Sequence, residues 1–264
     1  METLDIELPR MTLLYGLCLL PWLLLRMLGL LLSRDIGISV LRMSVQLALV
    51  GFYLKWLFEL NNPWFNGLWI LMMLLVADFS ILRRAGLKAR YFALATFIAI
   101  AFSILFSTAF LVLWVIRPAL FYDARYIVPL SGMILGNCLQ GNVIALERFY
   151  SSLSKNENEY ATFLMLGATR IEAVRTYFRD AIKAAINPTI AGMATMGLVS
   201  LPGMMTGQIL GGSEPWVAVK YQIAIMICIF TSTTLATIIN LKLSLNSAFN
   251  DFDVLRDEVI DKQS

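Results

Sequence analysis

Residues 91–116 read YFALATFIAIAFSILFSTAFLVLWVI, an unbroken run without a charged side chain. At 1.5 Å of rise per residue this run as a helix is about 39 Å long, enough to cross a hydrocarbon core of about 30 Å. A barrel strand would alternate apolar and polar residues over about ten positions instead. The run is a transmembrane helix. Working outward, six more apolar runs are bounded by charges or turn residues: Met11 to Leu32, Ile36 to Leu60, Trp64 to Leu82, Ile127 to Leu146, Ala184 to Leu210 and Trp216 to Leu241. The expectation is an all-α polytopic membrane protein of about seven transmembrane helices, with residues 1–264 forming one transmembrane domain. Pro21 inside the first run is tolerated as a kink. That run lacks a small-x-small cleavage site after a short core, so it is expected to be retained.

Composition agrees. Of 264 residues, 59% are hydrophobic and 15% charged, against roughly 45–50% and about 25% in soluble domains. There is no His, which excludes Ser-His-Asp and Cys-His nucleophile systems, HExxH zinc sites and haem ligation by His. Cys18, Cys138 and Cys228 sit in apolar stretches without metal-ligand spacing and read as small hydrophobes. A dispersed net charge of +3 gives no nucleic-acid footprint; the partner surface is the lipid bilayer.

Charge placement orients the chain. With the N-terminus outside and the C-terminus cytoplasmic, fourteen of the 21 Lys and Arg residues fall on the cytoplasmic side and four outside, the bias expected of a multi-pass inner (plasma) membrane protein. Arg26, Arg42 and Lys55 lie within spans, whereas Asp78 and Glu147 lie near span ends and are expected to form interfacial ion pairs.

One long polar excursion, residues 147–183, is cytoplasmic in this arrangement. Residues 159–166 form a short apolar helix, Gly167 can close it in the left-handed conformation, and Thr169 can cap the next helix with Glu172 three residues on. The apolar surface around Phe163 and Leu166 must be covered, either by the chain's own spans or by a groove on a cytoplasmic partner. The chain carries no GxxxxGK[ST] loop, so it has no ATP site of its own of that type. The tail, residues 242–264, places Phe249, Phe252 and Leu255 at helical spacing and is expected either to form an amphipathic helix or to fray.

Inside the spans, Gly132 and Gly136, and Gly203 and Gly207, put small residues on one helix face, suited to helix packing or a gate. Pro202 would kink or break the sixth span, so Ser200 to Gly207 is expected to line a cavity. Gln46, Asn137, Gln140 and Asn142 should face inward, as helix glue or as walls of a route, and Ser200, Met204, Met205 and Gln208 join them as pathway candidates. The thioethers of Met193, Met196, Met204 and Met205 suit Cu(I) better than iron or aluminium. Without His and with few interior carboxylates, no tight cage for a bare trivalent cation is evident, and the metal, if any, is undefined.

The run Leu166-Gly167-Ala168-Thr169-Arg170 resembles the coupling helix of ABC-transporter permeases, although Glu159 stands eight residues before Gly167 and the importer-type Ala-Ala pair is missing. With Gly132 to Asn142, Arg179 to Ile182, Asn187-Pro188-Thr189, Gly197 to Gly207 and Val219 to Gln222, the chain resembles the FetB family of ABC permeases. That family includes bacterial proteins linked to iron export and plant proteins linked to aluminium tolerance. The resemblance implies a permease subunit, not an enzyme, that forms a homodimer with two cytoplasmic ATPase subunits. ATP and Mg would sit on those partners and no cofactor on this chain. Glu159, Phe163, Leu166, Gly167, Ala168, Thr169 and Arg170 would then make the coupling contacts. The competitor is an ATPase-independent secondary transporter; a permease for an organic solute or metal chelate is the other alternative. A retinal protein is disfavoured because Lys220 stands at the entrance of the last span.

Overall fold

The structure, a computed structural model, describes residues 7–29, 33–250 and 253–256. Helices α1 (Leu8–Leu17) and α2 (Leu19–Met27) form one apolar span broken at Cys18. The break has a local cause: the ring of Pro21 cannot donate a backbone bond and crowds the carbonyl four residues earlier, at Leu17. They lead to α3 (Ser33–Leu60), α4 (Pro63–Arg84) and α5 (Ala89–Phe110), which a π-helical turn at Leu111–Ile116 extends. Next come α6 (Ala124–Lys155), α7 (Glu157–Met165), α8 (Arg170–Ala173) and α9 (Arg175–Thr195), followed by α10 (Gly203–Leu210) and α11 (Pro215–Ala248).

Among the described residues six helical spans are long and apolar enough to cross a membrane: Pro9–Met27, Asp35–Leu60, Pro63–Arg84, Ala89–Ile116, Ala124–Lys155 and Pro215–Ala248. The remaining expected span, Ala184 to Leu210, is not one helix. It ends at Thr195, turns through residues 196–202, and restarts as α10. Gly197 at φ +85 reverses the chain, its N–H donates to the Ser200 carbonyl, and Pro202 stands outside α10 as its N-cap rather than inside a helix. Hydropathy counts this segment as continuous because Leu198, Val199 and Leu201 are apolar.

The core lies where α5, α6 and α11 meet, with α4 and α9 packed on α6. Fully buried Phe92, Ile100, Ile134, Leu146, Phe149 and Tyr150 fill it. A polar seam runs through its middle. Asn240 Nδ2 donates to Asn142 Oδ1 (2.9 Å), Thr96 Oγ1 donates to Asn240 Oδ1 (3.1 Å), and Asn142 Nδ2 donates to the Cys138 carbonyl (2.8 Å). The first two bonds join helices, at about 0.6 kcal/mol each on average in lipid, the third lies within α6, and an orphaned member costs more. Gly141, one residue before Asn142, lets α6 approach α11: a Cβ there would collide with Thr233 Cγ2.

Helix α3 behaves differently. Near its C-terminal end Leu57 is buried, Tyr53 stacks on Trp69 at 4.0 Å, and Asn61 Oδ1 just beyond it accepts from the Ala124 N–H. The rest stands away from α4 and α6.

Candidate functional site

Three local rules shape the segment after α6. Asn156 ends α6, Gly167 closes α7 at φ +89, and Thr169 opens α8 with a reciprocal capping box. The Thr169 N–H and hydroxyl both donate to Glu172 Oε2, at 2.8 and 2.7 Å, and the Glu172 N–H returns to Thr169 Oγ1. These bonds hold the Glu172 carboxyl below its ordinary value. The result is a helix, a tight break and a helix, presented at the end of the bundle that also carries Arg83 and Arg84. Its apolar tip is not packed away: Phe163 is 42% exposed, Met165 79%, Leu166 80% and Ile171 71%. Gly167 and Thr169 are exposed and Ala168 is partly so. Glu159 points back instead, accepting the Tyr177 hydroxyl at 3.0 Å.

Arg170 is also turned inward, by contacts that its local sequence does not announce. Its guanidinium stands 3.4 Å from Asp253 Oδ1 and 5.6 Å from the centre of the Phe249 ring. The Tyr160 hydroxyl donates to the Asp253 carbonyl at 2.7 Å, and its ring meets Phe249 at 5.7 Å. Burial, with the Asp253 carboxylate adding to it, pushes the Tyr160 phenol up to about 12. The described part of the tail is therefore a hook, neither of the two expected forms, an amphipathic helix or a frayed end: α11 ends at Ala248, the Arg256 N–H returns to the Ala248 carbonyl, and Asp253 takes φ +58. Helical spacing of Phe249 and Leu255 misled because Phe249 serves the interior as a buried anchor and Leu255 crosses back beside it as a bridge partner. Phe252 and residues 257–264 lie outside the described residues, as do Glu2 and Asp5.

The pathway candidates separate into distinct places. Asn142 is fully buried in the polar seam and acts there as glue. Asn137 and Gln140 do not face the interior. With Gly136, Glu147 and Arg148 they form an exposed stripe along α6, on the side that α4, α9 and α11 leave uncovered. Gln46, Gly132 and Gly136 line an open cavity of about 800 Å³ between α3, α4 and α6. Ser200 is exposed at the break, Met204, Met205 and Gln208 are half-buried on α10, and Gly203 and Gly207 are exposed with open space around them. None of residues 200–207 contributes to the walls of the five cavities described in this chain.

The break has a polar companion that sequence reasoning passed over. Gln222 on α11 is buried, its Nε2 contacts Met196 Sδ at 3.9 Å, and its Oε1, like that of Gln208, has no hydrogen-bond partner. Two polar atoms without partners beside a helix break were visible only once α10 had folded back along α11. Among the described residues the ion pairs expected at Asp78 and Glu147 do not form. Asp78 is buried with Oδ1 unpartnered, because its neighbours on α4 are apolar, and Glu147 borders a smaller cavity with Lys155. No group of three or more Cys, Asp or Glu side chains is gathered among the described residues.

The family described as "Uncharacterised protein family (UPF0014)" matches residues 8–249, from the first helix to the hook. The chain belongs to the UPF0014 family. It is 38% identical over 197 residues to the UPF0014 membrane protein slr1647 of Synechocystis sp., covering 75% of this chain and 76% of that protein. The "Probable iron export permease protein FetB" of Escherichia coli (strain K12) is 32% identical over 219 residues, 83% of each chain. "Protein ALUMINUM SENSITIVE 3" of Arabidopsis thaliana is 31% identical over 212 residues, covering 80% of this chain and 76% of that protein. No solved structure matches. The resemblance to FetB-type permeases read from residues 127 onward thus extends across the UPF0014 fold, and this UPF0014 protein is a multi-pass membrane permease.

Proposed function

We propose that the chain is the permease subunit of an ABC-type transporter that exports iron or another metal across the inner membrane. In this reading it works as a homodimer with two copies of a separate cytoplasmic ATPase carrying ATP and Mg, its N-terminus outside and its C-terminus cytoplasmic. The observation that carries the reading is the exposed tip of Phe163, Met165, Leu166 and Ile171. An apolar surface fixed outside the spans, on a knuckle held by a capped break, suits insertion into a groove of a soluble partner. The α6 stripe supports a route between two copies, because Asn137 and Gln140 at membrane depth are costly against lipid but tolerable against water or protein. With no gathered hard ligands among the described residues, passage would rest on several weak contacts. FetB is named for iron export, which supports metal as the substrate class over an organic solute.

Phe163→Asp and Leu166→Asp should each abolish co-purification with the ATPase while leaving the unfolding transition of the membrane domain unchanged. Retained co-purification in both would overturn the docking assignment. The broken α9–α10 segment favours a second reading, an ATPase-independent secondary transporter, since discontinuous helices often hold substrate in such proteins. Vesicles of this chain alone that move iron down an imposed ion gradient would decide for it.

A further inference from the structure

The cavity between α3, α4 and α6 has features that the transport reading does not use. Helix α3 is pinned to the bundle around residues 53–61 and splayed at its other end, so the space opens sideways toward lipid. On α3 its wall is a stripe at helical spacing that includes Ser39, Arg42, Met43, Gln46 and Val50. On α4 the wall ends with Arg84, the last residue of that helix. Arg42 stands seven residues, about 10 Å, inside the apolar span that begins at Asp35. An arginine at that depth is costly unless it is paired or reaches the interface. Among the described residues the salt bridges are Glu7–Arg10 and Arg170–Asp253, so neither Arg42 nor Arg84 has a carboxylate partner. The wall contains no Asp or Glu. The small face of α6, expected to seat another helix closely, leaves a hollow: a Cβ on Gly136 would meet nothing within 4 Å, and one on Gly132 only Met73 Cε at 3.4 Å.

We propose that this groove binds an anionic phospholipid, its headgroup phosphate on Arg42 and Arg84 and an acyl chain between Leu47, Met72 and Leu139. Two guanidinium groups and no counter-charge fit a phosphate. The apolar remainder and the lateral opening fit a lipid tail, which a soluble anion lacks. A volume of about 800 Å³ lies within the roughly 300–1,000 Å³ range of sites for drug-sized ligands, room for the headgroup and part of one acyl chain. An excess of positive charge selects phosphatidylglycerol, of net charge −1, over a zwitterionic lipid, whose ammonium would add a third positive charge beside the two arginines.

The test is native mass spectrometry of the delipidated full chain in mild detergent, titrated with phosphatidylglycerol or phosphatidylcholine of identical chains. Phosphatidylglycerol should bind at least about tenfold more tightly. The double variant Arg42→Gln/Arg84→Gln removes only exposed, unpaired groups and should bring its affinity down to that of phosphatidylcholine. Gly136→Leu fills the hollow with both arginines intact and should weaken both lipids. Millimolar inorganic phosphate should not displace bound phosphatidylglycerol; displacement would make this a soluble-anion site. Equal affinity for the two lipids, or an unaffected double variant, overturns the proposal. So does a disulfide between the two copies of a Gln46→Cys variant, which would place a second chain in the groove.

Discussion

Replacing Gly141 by Ala tests the crossing of α6 and α11 at the centre of the bundle. The added methyl collides with one atom, Thr233 Cγ2, while Thr237 Cγ2 at 3.7 Å and the Ala185 carbonyl at 3.8 Å stay in ordinary contact. Thr233 is β-branched and 1% exposed, so it has little freedom to turn away. Overpacking of this kind costs about 1–3 kcal/mol. Alanine returns roughly 0.5–1 kcal/mol of helix propensity. The net expectation is a loss of about 1–2 kcal/mol, a factor of roughly 5–30 in the folded-to-unfolded ratio. Thr233→Ser removes the offending methyl and keeps the hydroxyl, so Gly141→Ala should be tolerated, or slightly stabilising, in that background. Unfolding of the four proteins by sodium dodecyl sulfate in mixed micelles, followed by far-ultraviolet circular dichroism, measures the cycle. Gly136→Ala, which meets open space, serves as the control and should not destabilise. A Gly141→Ala protein as stable as its parent, or one that Thr233→Ser does not rescue, would refute the close approach of these helices.

The hook gives a second expectation. Asp253→Asn keeps the left-handed position accessible but removes the partner of Arg170, at a cost of up to about 1 kcal/mol for a partly exposed pair. Faster hydrogen exchange at the Arg256 amide would report it. Tyr160→Phe removes the bond to the Asp253 carbonyl, worth about 1 kcal/mol, and should speed the same exchange further. The capping box predicts a pH dependence. Because the Glu172 carboxyl lies below its ordinary value when folded, its contribution is complete above the unfolded value, about 4.3, and is lost as pH falls through the lower folded value. Glu172→Gln should flatten that acid limb in the exchange of the Thr169 amide. Asn240→Leu leaves Asn142 Oδ1 and the Thr96 hydroxyl without their partner in a dry seam, and thermal unfolding should drop by about 1–3 kcal/mol.

What could be read from the chain alone follows the range of each interaction. The break at Gly167 and the Thr169–Glu172 box are decided within four residues, and so were legible. The apolar runs were legible for the same reason, since each needs only its own length. The break that Pro202 announced in residues 184–210 is present, but its start at Gly197 was missed because hydropathy sums over a turn whose signal is one glycine with positive φ. The hook was hidden because it joins Tyr160 and Arg170 to residues about eighty to ninety positions away. Asn137 and Gln140 were expected inside on the premise that polar side chains avoid lipid. That premise survives only if something other than lipid covers the stripe, and which face of α6 its neighbours leave free is a property of the assembled bundle.

Helix α4 has a further consequence. Its 22 residues rise about 33 Å, little more than the apolar slab itself. Trp64, 85% exposed, stands at one rim and Arg83 and Arg84 at the other. By contrast α11, at 34 residues, overshoots the same slab by several turns. Of the two, α4 has little length to spare, and a thicker or thinner membrane must either deform around it or tilt it. Because α4 forms one wall of the lateral groove, a tilt of α4 would change the width of that groove.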